Sequence, residues 1–229
     1  MAERPGPWNQ LASRAFTTNQ PSSLGTSPCS DASSCAWGTI GRSLPHRATW
    51  RKRVAFRTDV STEDGLAVRS RRGWNMTPVL PELRSLPTGL VLDGELVAWK
   101  GSEPYFPLVC RRVVNRDMSG PLIFVIFDLL RHKGVDLTAP PYSERRRKLE
   151  CLKLNDPAWT TSGTFEDGRA LFIAVCELGC EGIAAKNRSS LYRPQARGWV
   201  RVENPNYWRR DAEREAMARK HERRVRARV

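Results

Sequence analysis

The sequence predicts an α+β fold with largely antiparallel sheets flanked by helices. Strand-like apolar runs and stretches of helical apolar spacing are mixed, without the strict alternation typical of parallel βαβ folds. In addition, Glu63-Asp64-Gly65 separates two extended runs, 54–60 and 66–70. An Asp-Gly pair in that setting predicts a β-hairpin, which is an antiparallel element.

The other predicted elements follow in order along the chain. The predicted strands after the hairpin are 90–97 (with a Gly kink), 122–130, 182–186 and 199–202. The predicted helices are 82–86, 143–152, 166–178 and a charged C-terminal stretch, 209–228. Ser143 is expected to be an N-cap, with Glu144 in the first turn, where the helix dipole favours a carboxylate. Gly179 is expected to cap the end of the helix over 166–178.

Composition divides the chain into three predicted parts. Residues 1–50 are rich in Ser, Thr, Pro and Gly and show no lasting apolar period, so we expect a largely disordered segment. Residues 51–208 carry the strand and helix patterns and are expected to form one folded domain. Residues 209–229 contain nine Lys or Arg against four acidic residues and are expected to form a basic helical tail.

The charge balance points to a polyanionic partner. The net charge is +14 and the isoelectric point is about 10.2, and binding to a phosphate backbone is favoured by the release of counterions. An Arg-rich composition inherited from a high-GC genome would explain the same excess without a partner. Sequence composition does not separate these two explanations.

Several classes of protein are disfavoured by the sequence. No apolar run approaches the roughly 18 residues that a membrane-spanning helix needs, and the first residues do not resemble a secretory signal. The six Cys include no C-x-x-C pair and no nearby His, so a zinc site is not expected. Buried thiols in a reduced cytoplasmic setting account for them best.

Four segments contain the residues expected to do chemistry. They are 92–97 (Leu-Asp-Gly-Glu-Leu-Val), 127–130 (Phe-Asp-Leu-Leu), 181–186 (Glu-Gly-Ile-Ala-Ala-Lys) and 198–203 (Gly-Trp-Val-Arg-Val-Glu). A carboxylate beside a Gly turn in an apolar strand can reach a metal-bound phosphate, and a cation at the end of another strand can neutralise that phosphate. In order and spacing these segments resemble the adenylation domain of ATP-dependent DNA ligases, in particular its short actinobacterial type, over about residues 50–215.

This resemblance implies a fold, a reaction and its participants. The fold would be an ATP-grasp-like nucleotidyltransferase domain. A Lys would attack the α-phosphate of ATP, with Mg²⁺ bound, and pass AMP to the 5′-phosphate of nicked double-stranded DNA in repair or recombination. RNA ligases and capping-type guanylyl transferases share this chemistry, but the sequences of the Glu-Gly-Ile and Phe-Asp-Leu-Leu segments resemble those of DNA ligases more closely.

The resemblance also implies roles for individual residues. Lys52 would be the nucleophile, and Glu95 and Glu181 would hold Mg²⁺. The implied nucleotide-binding residues are Arg57, Arg71, Glu95, Phe127 (stacking on adenine), Lys186 and Arg201. The Pro-Tyr-x-x-Arg match at Tyr142 to Arg145 would be architectural.

Several of these residues also have an ordinary structural explanation. Arg71 fits a solvated hairpin charge, and Phe127, as an aromatic residue in an apolar strand, fits a core position. Lys52 lies in a basic triplet, 51–53, where a solvated Lys is commonplace. The Glu-Gly pair that begins the 181–186 segment fits a simple turn between a helix and a strand.

The chain departs from the family pattern at both ends of the motif set. The nucleophile motif Lys-x-Asp-Gly-x-Arg has Val54 and Ala55 in place of Asp and Gly, and Trp50 stands where the family often has Glu. The last motif has Glu203 in place of a second cation. A reversed charge near a triphosphate is expected to weaken ATP binding. Only about 20 residues follow Trp208 in this sequence, too few for the OB-fold that many relatives carry.

Two functions are therefore weighed from the sequence. The first is an ATP-dependent DNA ligase that seals nicks through a lysyl-AMP intermediate at Lys52. The second is a catalytically impaired, ligase-like module that keeps the fold and binds nucleic acid. Covalent labelling by ATP distinguishes them.

Overall fold

The computed structural model describes residues 47–52, 55–100, 103–193 and 199–207. Side chains are described for 55–99, 105–193 and 199–207. All of them belong to one unit that spans residues 44–229. The predicted disordered segment lies mostly, and the predicted basic tail wholly, outside these residues. The first strand begins at Arg47, so regular structure starts slightly before the predicted boundary at residue 51.

A seven-stranded sheet forms the larger layer of the domain. Its strands are β2 (Phe56–Ser61), β3 (Ala67–Ser70), β4 (Leu90–Val97), β7 (Ile123–His132), β8 (Val135–Asp136), β9 (Asn155–Asp156) and β10 (Trp159–Thr161). The strand order is β3-β2-β4-β7-β10-β9, with β8 paired to β7. Among the described pairings in this sheet, only β7 with β10 is parallel. The predicted hairpin over β2 and β3 is confirmed.

A smaller three-stranded sheet has the order β1-β11-β12 and is antiparallel throughout. Its strands are β1 (Arg47–Lys52), β11 (Gly182–Asn187) and β12 (Trp199–Glu203). A two-stranded ribbon, β5 (Trp99–Lys100) with β6 (Glu103–Pro104), is the third sheet among the described residues. The predicted strands at 182–186 and 199–202 are thus confirmed within a residue, and the α+β class is correct.

The helices differ from the sequence-based expectation in two places. The helices are α1 (Phe106–Asn115), α2 (Tyr142–Cys151) and α3 (Gly168–Glu177), with 3₁₀ helices at Thr77–Val79 and Pro81–Ser85. Helix α1 was not predicted. The prediction of Ser143 as an N-cap was wrong, because α2 begins one residue earlier. The backbone N–H groups of Tyr142 and Ser143 donate to the carbonyls of Ser190 and Arg188, so the loop after β11 (Gly182–Asn187) satisfies them instead of a capping side chain.

Helix α3 ends near Gly179, as predicted, but Gly179 is the residue after the C-cap and not the C-cap itself. Leu178 is the C-cap and Gly179 follows it with φ +60°. The N–H of Gly179 donates to the carbonyl of Cys176, and that of Cys180 donates to the carbonyl of Val175. This is the Schellman arrangement, which needs a left-handed residue that glycine adopts without steric cost.

The hydrophobic core lies along the large sheet. It is built from buried residues of β2, β3, β4 and β7 together with α1, α2 and the 3₁₀ segments, such as Val60, Leu92, Phe124 and Leu149. Gly94 allows this packing, because a Cβ there would lie 2.6 Å from the carbonyl oxygen of Val125. Among the described residues, no helix is long and apolar enough to cross a bilayer.

Candidate functional site

Two buried carboxylates lie side by side in the middle of the large sheet. Asp93 in β4 is directly opposite Asp128 in β7, and both side chains are 0% exposed. Like charges opposite each other are destabilising, and buried carboxylates need compensating partners. Asp93 is paired with Arg57, and Asp128 is paired with both Arg145 and Lys186. Arg57 and Lys186 are predicted nucleotide-binding residues.

Asp93 is bound by Arg57 from the neighbouring strand β2. The Arg57 Nε donates to Asp93 Oδ1 at 3.0 Å and its Nη2 donates to Oδ2 at 2.6 Å. The Tyr192 hydroxyl donates to the same Oδ2 at 3.4 Å. Burial raises the pKa of Asp93 to about 6, while the hydrogen bonds and charge of Arg57 oppose this rise.

Asp128 is shared by two cations from different parts of the chain. Arg145 in α2 donates through Nε to Oδ1 at 2.8 Å and through Nη2 to Oδ2 at 2.9 Å. The Lys186 ammonium in β11 donates to Oδ2 as well. Lys186 is 3% exposed, and burial lowers its pKa while Asp128 opposes that fall. The phosphate-binding cation that the sequence predicted is therefore ion-paired inside the protein.

Trp199 joins these groups into one cluster. Its ring centroid lies 4.9 Å from that of Phe127, with the two rings nearly perpendicular at 83°. The Arg57 guanidinium carbon lies 4.6 Å from the Trp199 centroid and the Lys186 ammonium lies 4.9 Å from it. Three predicted nucleotide-binding residues, from both sheets, thus converge on one indole ring. Trp199 was predicted to lie in a strand but not to be a site residue, although positions 199 and 201 share one face of β12.

Phe127 lies at an irregularity of β7. The register shifts between Asp93 and Gly94, so that their partners are Asp128 and Ile126 and Phe127 is the extra residue. The ring is 1% exposed, with Trp199 at its side and the Arg57 guanidinium carbon 5.9 Å from its centroid. Adenine stacking by Phe127 stays a prediction, and it would require one of these neighbours to move.

The two predicted metal-binding carboxylates lie on different sheets. Glu95 in β4 is half-buried and lies opposite Arg57 in β2 and Val125 in β7. Glu181 is half-buried and immediately precedes β11. Among the described residues, no three His, Cys, Asp or Glu side chains are grouped to hold a metal ion. Mg²⁺ commonly uses only one or two carboxylates, with substrate phosphates and water completing its shell, so carboxylate donors suit such an ion. The metal-binding roles of Glu95 and Glu181 stay predictions.

The small sheet places the predicted nucleophile by its register. Lys52 in β1 lies opposite Gly182 in β11, and Gly182 lies opposite Glu203 in β12. The side chains of Trp50, Lys52 and Val54 lie outside the described residues. A Cβ on Gly182 would lie 2.9 Å from the Cα of Glu203 and closer still to the Val202 carbonyl oxygen. Gly182 is thus required for β12 to pair at this distance.

Arg71, Arg201 and Glu203 lie at exposed positions. Arg201 and Glu203 are exposed on β12, with the buried Val202 between them on the opposite face. Arg71 is exposed beyond the end of β3, where its backbone N–H donates to the Arg57 carbonyl. Ala55 is half-buried just before β2. The roles of Arg71 and Arg201 stay predictions.

The helix start regarded as architectural contributes directly to the site. The Tyr142 hydroxyl donates to the Phe127 carbonyl at 3.2 Å, and the Lys186 ammonium lies 4.4 Å from the Tyr142 ring centroid. Burial raises the pKa of Tyr142 to about 12, so its hydroxyl stays protonated as a donor. Arg145 is fully buried against Asp128. Only the pairing of α2 with β7 and β11 reveals these contacts, which are distant in sequence.

Comparison with known proteins decides the family. Residues 52–202 match the family described as ATP dependent DNA ligase domain. The chain belongs to the ATP-dependent DNA ligase family. The matched residues carry its adenylation domain, as the motifs predicted.

Two relatives illustrate this membership of the ligase family. The SPbeta prophage-derived DNA ligase-like protein LigB of Bacillus subtilis (strain 168) is 32% identical over 151 residues, which is 63% of this chain and 56% of that protein. The multifunctional non-homologous end joining protein LigD of Pseudomonas aeruginosa is 31% identical over 172 residues, which is 69% of this chain and 20% of that protein. The chain therefore spans about half, or much less, of the length of these relatives.

Solved structures agree on the fold of the ligase domain. The ligase domain of Mycobacterium tuberculosis LigD matches with a TM-score of 0.59 and 31% identity, covering 69% of this chain and 53% of that one. A mycobacterial DNA ligase D complexed with ATP and MES matches with a TM-score of 0.58 and 30% identity, covering 69% and 54%. The predicted nucleotidyltransferase fold is confirmed.

Proposed function

We propose that this domain binds ATP beside the Trp199 cluster and forms a covalent lysyl-AMP on Lys52. The AMP then passes to the 5′-phosphate at a nick in double-stranded DNA. The observation that carries the proposal is the convergence of Arg57, Phe127 and Lys186 on Trp199 at 4.6 to 4.9 Å. Two cations and an aromatic platform are what a purine nucleotide requires.

The covalent step needs an amine, a leaving group and charge neutralisation. The Lys52 amine, once deprotonated, attacks the α-phosphorus; a P–N bond forms, the bond between the α-phosphorus and the bridging oxygen breaks, and pyrophosphate leaves with its electron pair. Lys186, Arg57 and Arg201 are cations that would neutralise the phosphate oxygens. In the transfer to DNA, an oxygen of the 5′-phosphate attacks the same phosphorus, a P–O bond forms and the P–N bond breaks. The Lys52 nitrogen leaves with the electron pair and takes up a proton.

Glu95 and Glu181 are the carboxylates proposed to hold Mg²⁺. When bound, the ion would supply Lewis-acid polarisation of the phosphate oxygens. The protein contributes position. Glu95 lies in β4 of the large sheet, two residues after Asp93, and Glu181 immediately precedes β11, the strand that also carries Lys186.

Glu203 lowers the positive charge available to the triphosphate. Glu203 lies in β12 opposite Gly182 of β11, and Gly182 in turn lies opposite Lys52 of β1. We therefore propose a weaker affinity for ATP than a chain with Lys at this position would have. The altered residues at Val54 and Ala55 make Lys52 itself the point that most needs a direct test.

The test is covalent labelling with α-³²P-ATP and Mg²⁺. We expect a labelled protein band that resists denaturation, is reversed by pyrophosphate and is lost in Lys52→Ala. The matched control is Lys153→Ala, an exposed Lys in the loop after α2 that should label as the parent does. Labelling of Lys52→Ala at the parental level would refute the assignment. Absence of any label with DNA binding intact would favour the noncatalytic module.

The DNA substrate and its setting follow as further proposals. Relatives include proteins named for non-homologous end joining, so sealing of nicks left during repair or end joining is proposed for this chain. The net charge of +14 supports binding to a phosphate backbone. The cytoplasmic location stays a prediction.

A further inference from the structure

The Lys186 ammonium is buried among aromatic side chains. Its single carboxylate partner among the described contacts is Asp128. Three aromatic rings surround it, with centroids at 4.4 Å (Tyr142), 4.9 Å (Trp199) and 5.7 Å (Tyr192). Aromatic faces attract a cation but do not replace water as a hydrogen-bond acceptor. The protonated, charged form of the buried Lys186 is therefore stabilised chiefly by Asp128.

Asp128 is fixed by Arg145 independently of Lys186. The two guanidinium bonds to Asp128 occupy both carboxylate oxygens. The Arg145 Nη1 donates to the carbonyls of Pro140 at 2.7 Å and Ser190 at 3.3 Å. Arg145 is fully buried, so these contacts anchor the fork at both ends. Asp128 cannot follow Lys186 if that side chain moves.

The two cations on Asp128 thus differ in what their departure would cost. If Arg145 were absent, removing Lys186 would leave a buried carboxylate without a counter-charge, which is strongly unfavourable. With Arg145 in place, Asp128 remains neutralised by a bidentate pair after Lys186 leaves. Lys186 is therefore the exchangeable cation of the pair, and Arg145 is the permanent one.

We propose that Asp128 and Arg145 are positioning residues that hold Lys186 charged and aligned inside the protein and release it to a nucleotide phosphate. The inference rests on the proposed phosphate-binding role of Lys186. In the ATP-free protein Lys186 binds Asp128. When ATP binds, a phosphate oxygen takes over the ammonium, and Asp128 keeps Arg145. No covalent bond changes in this exchange.

The charged groups around Lys186 come from every element packed against it. Asp128 comes from β7, Arg145 and Tyr142 from α2, Tyr192 from the loop after β11, and Asp93 from β4. Burial and Arg145 lower the pKa of Lys186, whereas Asp128 and, more weakly, Asp93 raise it. Removing the Asp128 charge therefore leaves the downward influences nearly unopposed.

The test compares the parent with Asp128→Asn. The pKa of Lys186 is followed by NMR of ¹³C-dimethylated lysines, with Lys186→Arg used to assign the signal. We expect this pKa to fall in Asp128→Asn, because burial and Arg145 lower it and the opposing Asp128 charge is removed. The loss of Mg-ATP affinity in Asp128→Asn should then be several-fold larger above the pH at which Lys186 titrates in this variant than below it, because a neutral amine does not hold phosphate.

The double variant Asp128→Asn with Lys186→Arg provides the sharpest control. A guanidinium stays protonated throughout this range, so the pH dependence of Mg-ATP binding that Asp128→Asn introduces should disappear. A purely structural role for Asp128 predicts the same loss of binding at every pH, in both backgrounds. That result, or an unchanged Lys186 titration in Asp128→Asn, would overturn the proposal.

A second variant keeps the inference testable if Asp128→Asn does not fold. Arg145→Lys keeps the charge but loses the bidentate fork, so Asp128 should hold Lys186 more tightly. We expect the KM for ATP to rise several-fold with kcat little changed, and an unchanged KM would count against the proposal. Absence of lysyl-AMP in the parent would sink the proposed function alone, because the NMR titration and ATP binding need no catalysis.

Discussion

Gly182→Ala is the substitution whose consequence the structure defines most sharply. A Cβ at residue 182 would lie 2.9 Å from the Cα of Glu203 and 3.0 Å from the carbonyl carbon of Val202, with the carbonyl oxygen closer still. Real carbon–oxygen contacts between strands lie at about 3.3 to 3.6 Å. Because the obstacle is backbone, β12 must move away from β11. The residue also has φ +151°, which an L side chain rarely adopts.

The expected cost combines two effects. Overpacking costs about 1–3 kcal/mol and an unfavourable backbone conformation costs about 1–3 kcal/mol, so the free energy of unfolding should fall by about 2–6 kcal/mol. For a protein of this size that corresponds to a Tm lowered by roughly 4–24 °C. Since β12 carries Trp199 and Arg201, lysyl-AMP formation should fall as well, even where the protein is still folded.

The assay is thermal unfolding together with ATP labelling below the transition. Gly163→Ala is the matched control, because a Cβ there meets only the Phe165 ring, at 3.4 Å, an ordinary contact. Gly163→Ala should unfold within about 1 kcal/mol of the parent. If Gly182→Ala were as stable as Gly163→Ala, the pairing of β11 with β12 described above would be wrong.

Two further predictions concern charge. Glu203→Lys should raise ATP affinity by about threefold to tenfold, a modest gain because the position is exposed and screened by solvent. Isothermal titration with Mg-ATP measures this gain. The control is Glu177→Lys, at an exposed position of α3, and equal gains in both variants would show a nonspecific charge effect. Asp93→Asn should change the pH dependence of unfolding. The folded-state pKa of Asp93 is raised from 3.8 to about 6, so its contribution to stability is fully present below about pH 4 and is lost as the pH rises through about 6, a fall of about 3 kcal/mol. Urea unfolding across this range should show that fall in the parent and not in Asp93→Asn, and parallel curves would contradict the assigned burial.

The correct part of the secondary-structure prediction rests on local signals. The Asp64-Gly65 turn, the strand over Leu90–Val97 and the Gly179 ending of α3 are each specified by neighbouring residues. Helix α1 was missed because its sequence does not show a clear helical pattern of apolar and polar residues. It contains β-branched residues, and the buried Arg112 is of a residue type that normally lies in water. The Arg112 Nη1 donates there to the carbonyl of Val79, which is distant in sequence, and its Nη2 donates to the carbonyl of Gly120 in the loop after α1.

The amino-acid sequence by itself determined the family, the order of the motifs and the cations and carboxylates that belong to them. It also predicts departures from the family pattern at Val54, Ala55 and Glu203. Only the tertiary structure decided that Lys186 is buried on Asp128, that Arg145 anchors this pair and that Trp199 is the meeting point of the site. The physical reason is that the spacing of a motif shows only which side chains a strand carries. The protonation state and mobility of a side chain depend on the groups that nonlocal strand pairing places against it.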